Sequence, residues 1–148
     1  MFSRPIQDHM LKALGRHVLK IPPCTPRKIF VSLTFLDLDE HRALIMQEIQ
    51  RRGFFFRGME HFGAAPFTTN EFIKEQVRKS DVYLGVFAIR YGSEDPATGK
   101  SMTELEYDEA LRLGKPRLCY LASDESEILK GHIERDPDKL RKLQEFLS

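Results

Sequence analysis

Cysteine is nearly absent from the chain: Cys24 and Cys119 are the only two, and they stand far apart. That spacing excludes a disulfide framework and a C-x-x-C metal or redox site, and favours a reducing compartment. Long apolar runs are absent too. None approaches the roughly 18 residues that a membrane span needs, and the N-terminus lacks the apolar core of a secretory signal. Net charge is all but missing, with 23 basic against 22 acidic residues for a formal charge of +1, which excludes binding to nucleic acid or an anionic membrane driven by global charge. Together these absences predict a soluble, cytoplasmic protein with neither nucleic acid nor membrane as a partner.

The common catalytic signatures are lacking as well. His41, His61 and His132 fall at no metal-ligand spacing, and neither G-x-S-x-G nor H-E-x-x-H occurs. "GSEDPATGKS" ends like a phosphate loop, but six residues separate Gly92 from Gly99, too many for G-x-x-x-x-G-K-[ST]. "DPATG" is read as a turn. No metal site is expected.

What the chain has is enough apolar residues, 41% of 148, to fill one core. Ile6, Met10, Leu14 and Val18 repeat at helical spacing before the Pro-rich "IPPCTP". Residues 1–27 are therefore read as an appended helix and stiff linker. Arg4, Lys12, Arg16 and Lys20 leave two readings open for this helix, packing on the domain or a partner, or organelle targeting.

From Lys28 to Ser148 strand and helix patterns alternate. "KIFVSL", "FFFRGM", "DVYLGVFAI" and "RLCYLA" are short apolar, strand-like runs. Between and after them come "DLDEHRALIMQEIQRRG", with apolar positions at Leu38, Ile45, Met46 and Ile49; "NEFIKEQVRKS", opened by a Thr68-x-x-Glu71 capping box; "SMTELEYDEALRLG"; and "DKLRKLQEFL" behind Asp136-Pro137. This order predicts right-handed crossovers and a flavodoxin-like, doubly wound α/β domain on a parallel sheet of four to five strands. With strand order 2-1-3-4, the ligand crevice falls beyond the carboxyl ends of the first and third strands. Ser32, Leu33, Thr34 and Phe35 leave one strand; Arg90, Tyr91 and Gly92 leave the other.

Three glutamates lie on the helix behind that crevice. Ser101-x-x-Glu104 is a capping box, expected to have the Ser101 side chain on the Glu104 N–H and the Glu104 carboxylate reaching back to the N-cap. Glu109 is expected to face solvent. Glu106 shares a helical face with Ala110 and Leu113, so it should point toward the sheet. Two readings of an inward carboxylate stay open, a working group or half of an internal ion pair with Arg90 or Arg42.

Four motifs in order, "IFVSLTFLDLDEHR", "GMEHFGA", "SDVYLGVFAIRYGS" and "GKSMTELEYDEALRLGKP", resemble the signature of a TIR-like family labelled a domain of unknown function. The resemblance runs from about Lys28 to Ala122 and into the last helix. It implies an effector or signalling module ahead of a NACHT- or STAND-type ATPase, in immunity-like systems. At superfamily level the family resembles TIR domains and nucleoside deoxyribosyltransferases, in which a catalytic glutamate stands four residues before a small one. Glu106 and Ala110 match that spacing and Glu104 does not.

The resemblance further implies cleavage of the nicotinamide–ribose bond of NAD with Glu106 as the catalytic acid residue, NAD serving as substrate with no cofactor required. Ser32 and Thr34 would then supply donors to ribose or phosphate, Arg90 would meet a phosphate, and Phe35 or Tyr91 would stack on a base. Gly92, Ser101 and Glu60 would line the ligand. A homo-oligomer is implied, since TIR relatives complete their pockets by self-association. Leu33 and His41 depart from the family's serine and glutamate and favour the rival, a non-catalytic self-association, protein-interaction or nucleotide-binding module.

Overall fold

A computed structural model gives the architecture, and it describes residues 27–33, 39–58, 70–121 and 134–148. The N-terminal helix expected in residues 1–27 lies outside the described residues except for Arg27, as do Thr34, Phe35, Glu60 and Thr68. Strands β1 (Lys28–Leu33), β2 (Phe55–Arg57), β3 (Val82–Phe87) and β4 (Arg117–Leu121) alternate with helices α1 (Asp39–Arg51), α2 (Asn70–Arg78), α3 (Met102–Arg112) and α4 (Pro137–Leu147). The four strands form one all-parallel sheet in the order β2-β1-β3-β4. This is the flavodoxin-like α/β arrangement that the alternating pattern implies, with its switch point between β1 and β3.

The hand of the crossovers decides which helix covers which face. The β1-α1-β2 unit steps one way across the sheet, while β2-α2-β3 and β3-α3-β4 step the other way, so right-handed connections place α1 opposite α2 and α3. The two cores follow that division. Ile29, Val31, Val82, Leu84, Val86 and Leu118 pack with Ile49 of α1 and its neighbours Ile45 and Met46. Phe30, Tyr83 and Phe87 pack on the other face with Val77 of α2, Ala110 of α3 and Phe146 of α4. β3 is buried at every position, as a central parallel strand should be.

Local sequence sets the element ends. Gly53 takes φ +76°, and the N–H groups of Gly53 and Phe54 return to the carbonyls of Gln50 and Ile49, closing α1 with a left-handed cap. Asp136 Oδ1 accepts from the Asp138 and Lys139 N–H groups at 2.9 and 3.4 Å, with Pro137 in the first turn of α4. "DPATG" is a turn: the Thr98 and Gly99 N–H groups donate to the Asp95 carbonyl, and Thr98 Oγ1 donates to Asp95 Oδ2 at 2.7 Å.

An aromatic cluster fixes α3 on the sheet. Phe30 stacks on Tyr83, and Tyr107 meets Tyr83, Phe87 and Phe146 edge-on with centroids 5.6 to 6.3 Å apart. Gly85 makes room for it, since a Cβ there would sit 2.6 Å from Phe87 Cζ and 3.0 Å from Tyr83 Cε1. Ala110, fully buried, lets the helix approach closely. Anchoring Tyr107 fixes the rotation of α3, and with it the direction of Glu106.

Candidate functional site

The fold brings Ser32 and Glu106 together. Ser32 lies one residue before the end of β1, on the face shared with Phe30, paired in register with Gly85 of β3. Its hydroxyl donates to Glu106 Oε2 at 2.5 Å, and the two residues are 1% and 4% exposed. Hydrogen bonds to a carboxylate are among the strong ones, and this one supplies a buried carboxylate with a donor. Arg42, itself buried, donates from Nη2 to the Leu33 carbonyl at 3.2 Å, at the end of the same strand.

Tyr83 completes the constellation, and sequence reasoning missed it. Its hydroxyl is buried with no hydrogen-bond partner of acceptable geometry among the described residues. Ser32, Glu106, Tyr107 and Cys119 are the polar groups that act on it; Ser32 is close, but off hydrogen-bonding geometry. Burial, with the Glu106 carboxylate second, pushes the phenol well above its ordinary range, so it stays a neutral O–H. The signal was present in "DVYLGVF": period-two alternation puts Tyr83 on the face of Gly85 and Phe87, where a purely structural strand needs no hydroxyl.

The other candidates separate into a second group that builds the start of α3. Glu104 and Glu106 lie two residues apart on a helix and so point about 200° away from each other. Ser101 Oγ accepts from the Glu104 N–H at 3.1 Å, as a capping box requires. The return half differs from expectation. Ser101 N–H donates to Tyr91 Oη at 3.1 Å, and Tyr91 in turn donates to Glu104 Oε2 at 2.6 Å, so the tyrosine stands between the two ends of the box. Lys100 Nζ holds the other Glu104 oxygen at 2.9 Å.

Tyr91 is therefore 3% exposed and committed to the cap, with no open face on which a base could stack. Burial, then its bond to Glu104, pushes its phenol up to about 12. Gly92 offers its carbonyl to Lys139 Nζ at 3.2 Å, and Lys142 Nζ reaches the Gly99 carbonyl at 2.9 Å and Glu94 at 3.1 Å. These two lysines tie α4 to the loop that carries the cap. Arg90, half-buried between the end of β3 and this loop, makes no ion pair among the described residues.

Glu109 corrects the sequence reading. It is 3% exposed, because Arg78 of α2 donates to its Oε1 at 3.1 Å and Arg112 grips both oxygens at 2.7 and 2.8 Å. The Arg112 bond holds its carboxyl below the usual range against the opposing effect of burial. A partner on another helix is invisible to a helical-face argument confined to α3.

Chemically, the first group offers a carboxylate, a hydroxyl already engaged with it and an unused phenol O–H, on the α3 side of the β1/β3 switch point. Among the described residues no three His, Cys, Asp or Glu side chains cluster as a metal site, and no helix is long and apolar enough to cross a membrane. Fold and site together define a parallel, flavodoxin-like α/β domain with a buried serine–glutamate pair at its switch point. The chain belongs to the family described as Domain of unknown function (DUF4062), whose model matches residues 28–148. No curated protein matches the chain.

Proposed function

We propose that this domain is a TIR-like effector module that hydrolyses the nicotinamide–ribose bond of NAD, with Glu106 as the catalytic residue. The observation that carries the reading is Glu106 itself, a buried carboxylate bonded to Ser32 at the point in the fold where doubly wound domains bind ligands. In the reaction the bond between the ribose anomeric carbon and the nicotinamide nitrogen breaks, and nicotinamide leaves with the electron pair. Water adds to the anomeric carbon and releases a proton.

The sugar passes through an oxocarbenium-like state, whose positive charge a carboxylate beneath the ring stabilises. A carboxylate held ready by a donor needs little reorganisation as that charge develops. Arg90, which makes no ion pair among the described residues, would meet a phosphate. Glu104 and Glu109 are held by the helix cap and by two arginines. The test is nicotinamide release from NAD by concentrated protein, lost on Glu106→Gln.

One observation favours a second reading. Glu106 is only 4% exposed, so a ligand must open the site or a second copy must complete it. A self-associating or nucleotide-binding module of a STAND-type signalling protein needs no turnover. On that reading Glu106→Gln leaves self-association unchanged, as sedimentation can measure, and nicotinamide is never released.

A further inference from the structure

The Tyr83 hydroxyl is buried and has no hydrogen-bond partner among the described residues. Leaving a buried polar atom with no hydrogen-bond partner costs about 1–3 kcal/mol, and a phenylalanine would preserve the stacking on Phe30 and the edge contacts with Tyr107. Such an orphan group calls for an explanation beyond packing. Its position supplies one. Ser32 lies beside it, and the single Ser32 hydroxyl proton is spent on Glu106. Gly85, which sits across from Ser32 in register, lets the Tyr83 ring lean over the strand without meeting a Cβ.

We propose that Tyr83 is a positioning residue that takes over the Ser32 hydroxyl when a ligand hydroxyl claims Glu106. In the ligand-free domain Ser32 donates to Glu106 and Tyr83 has no partner. In the complex a sugar hydroxyl donates to Glu106 Oε2, and Ser32 rotates to donate to Tyr83 Oη. Both Glu106 and Ser32 are then satisfied, and the buried phenol oxygen gains a donor. Without the Tyr83 oxygen, displaced Ser32 would itself become the unsatisfied group, and binding would bear that cost. The ligand class is a molecule presenting a sugar hydroxyl, so the inference rests on the NAD reading of the same site.

The test is a double-mutant cycle on Tyr83→Phe and Ser32→Ala, read by urea unfolding of the free protein and by calorimetric titration with NAD. Tyr83→Phe should leave the urea midpoint unchanged or raised, because the hydroxyl it removes makes no bond in the free state. It should weaken NAD binding about three- to tenfold, the worth of one hydrogen bond. In the Ser32→Ala background the same change should have no further effect on affinity, because Tyr83 acts through Ser32.

A lowered urea midpoint would show the phenol already bonded in the free protein and overturn the exchange. Equal NAD affinity for Tyr83→Phe and wild type would overturn it while leaving the NAD reading intact. A loss that persists in full in Ser32→Ala would overturn the route through Ser32. Absence of NAD binding by the wild-type protein would remove both the reading and the exchange that depends on it.

Discussion

Ser32 Oγ donates a 2.5 Å hydrogen bond to Glu106 Oε2 across 74 positions of sequence, joining the end of β1 to the second turn of α3. Each residue is nearly inaccessible, and a carboxylate so placed is costly unless its lone pairs are met. If Glu106 is kept for function, replacing it should not hurt the fold. Glu106→Gln is expected to match or exceed wild type in thermal unfolding, since a neutral amide is easier to bury. Ser32→Ala should instead cost about 1–3 kcal/mol, because the carboxylate remains and its donor is gone. Chemical denaturation of the two variants side by side checks this contrast.

Tyr91 serves both ends of the α3 cap, accepting from Ser101 N–H and donating to Glu104. Tyr91→Phe therefore removes two bonds while keeping the ring, and should destabilise the domain by about 1–3 kcal/mol. Ser101→Ala, which loses the side-chain cap, should cost about 1 kcal/mol. Amide hydrogen exchange at Thr103 and Glu104 should accelerate in both variants more than in the rest of the chain.

Glu109 gives the domain a defined acid sensitivity. Its carboxyl is held below its ordinary value of 4.5 by Arg112 and Arg78, so the folded state binds that proton more weakly than the unfolded chain does. The stabilisation is fully present above the unfolded value and is lost as pH falls through the depressed folded one. Glu109→Gln should cost roughly 1–2 kcal/mol near neutral pH, limited by the exposure of both arginines. As pH falls below 4.5 the gap between the two proteins should close progressively. Urea midpoints across pH 3 to about 7 would reveal a constant difference if the ion pair contributes nothing.

Gly85 is required by crowding, for a methyl group there would meet Phe87 and Tyr83 within 3.0 Å. Both rings are buried and have little room to yield. Gly85→Ala should cost about 1–3 kcal/mol. Adding Phe87→Leu should recover part of that loss, so the double variant should be less destabilised than the sum of the singles. Strict additivity in thermal unfolding would contradict the clash.

The four strands, the four helices and the Asp136-Pro137 cap were legible from periodicity and turn chemistry, because each is a local pattern read within a few residues, whereas the strand order was a supposition that the sheet itself bears out. Glu106 was legible for the same reason, as its helical face with Ala110 follows from spacing alone. The partners of Tyr83, Tyr91 and Glu109 were not. The roles of these three residues come from partners on other elements: Ser32 and Glu106 around Tyr83, Ser101 and Glu104 around Tyr91, and Arg78 against Glu109. Sequence spacing within one helix or strand carries no information about such meetings, whereas the fold supplies them.

The most direct test of the central claim is nicotinamide release from NAD, followed by chromatography, using concentrated wild-type protein, Glu106→Gln and Glu104→Gln. The account predicts release by wild type, retention of most of it in Glu104→Gln, whose carboxylate belongs to the helix cap, and none in Glu106→Gln. Absence of release from wild type even when the domain is artificially clustered, or release that survives Glu106→Gln, would contradict the account. The first of those results would leave the Ser32–Glu106 pair as part of an interaction module.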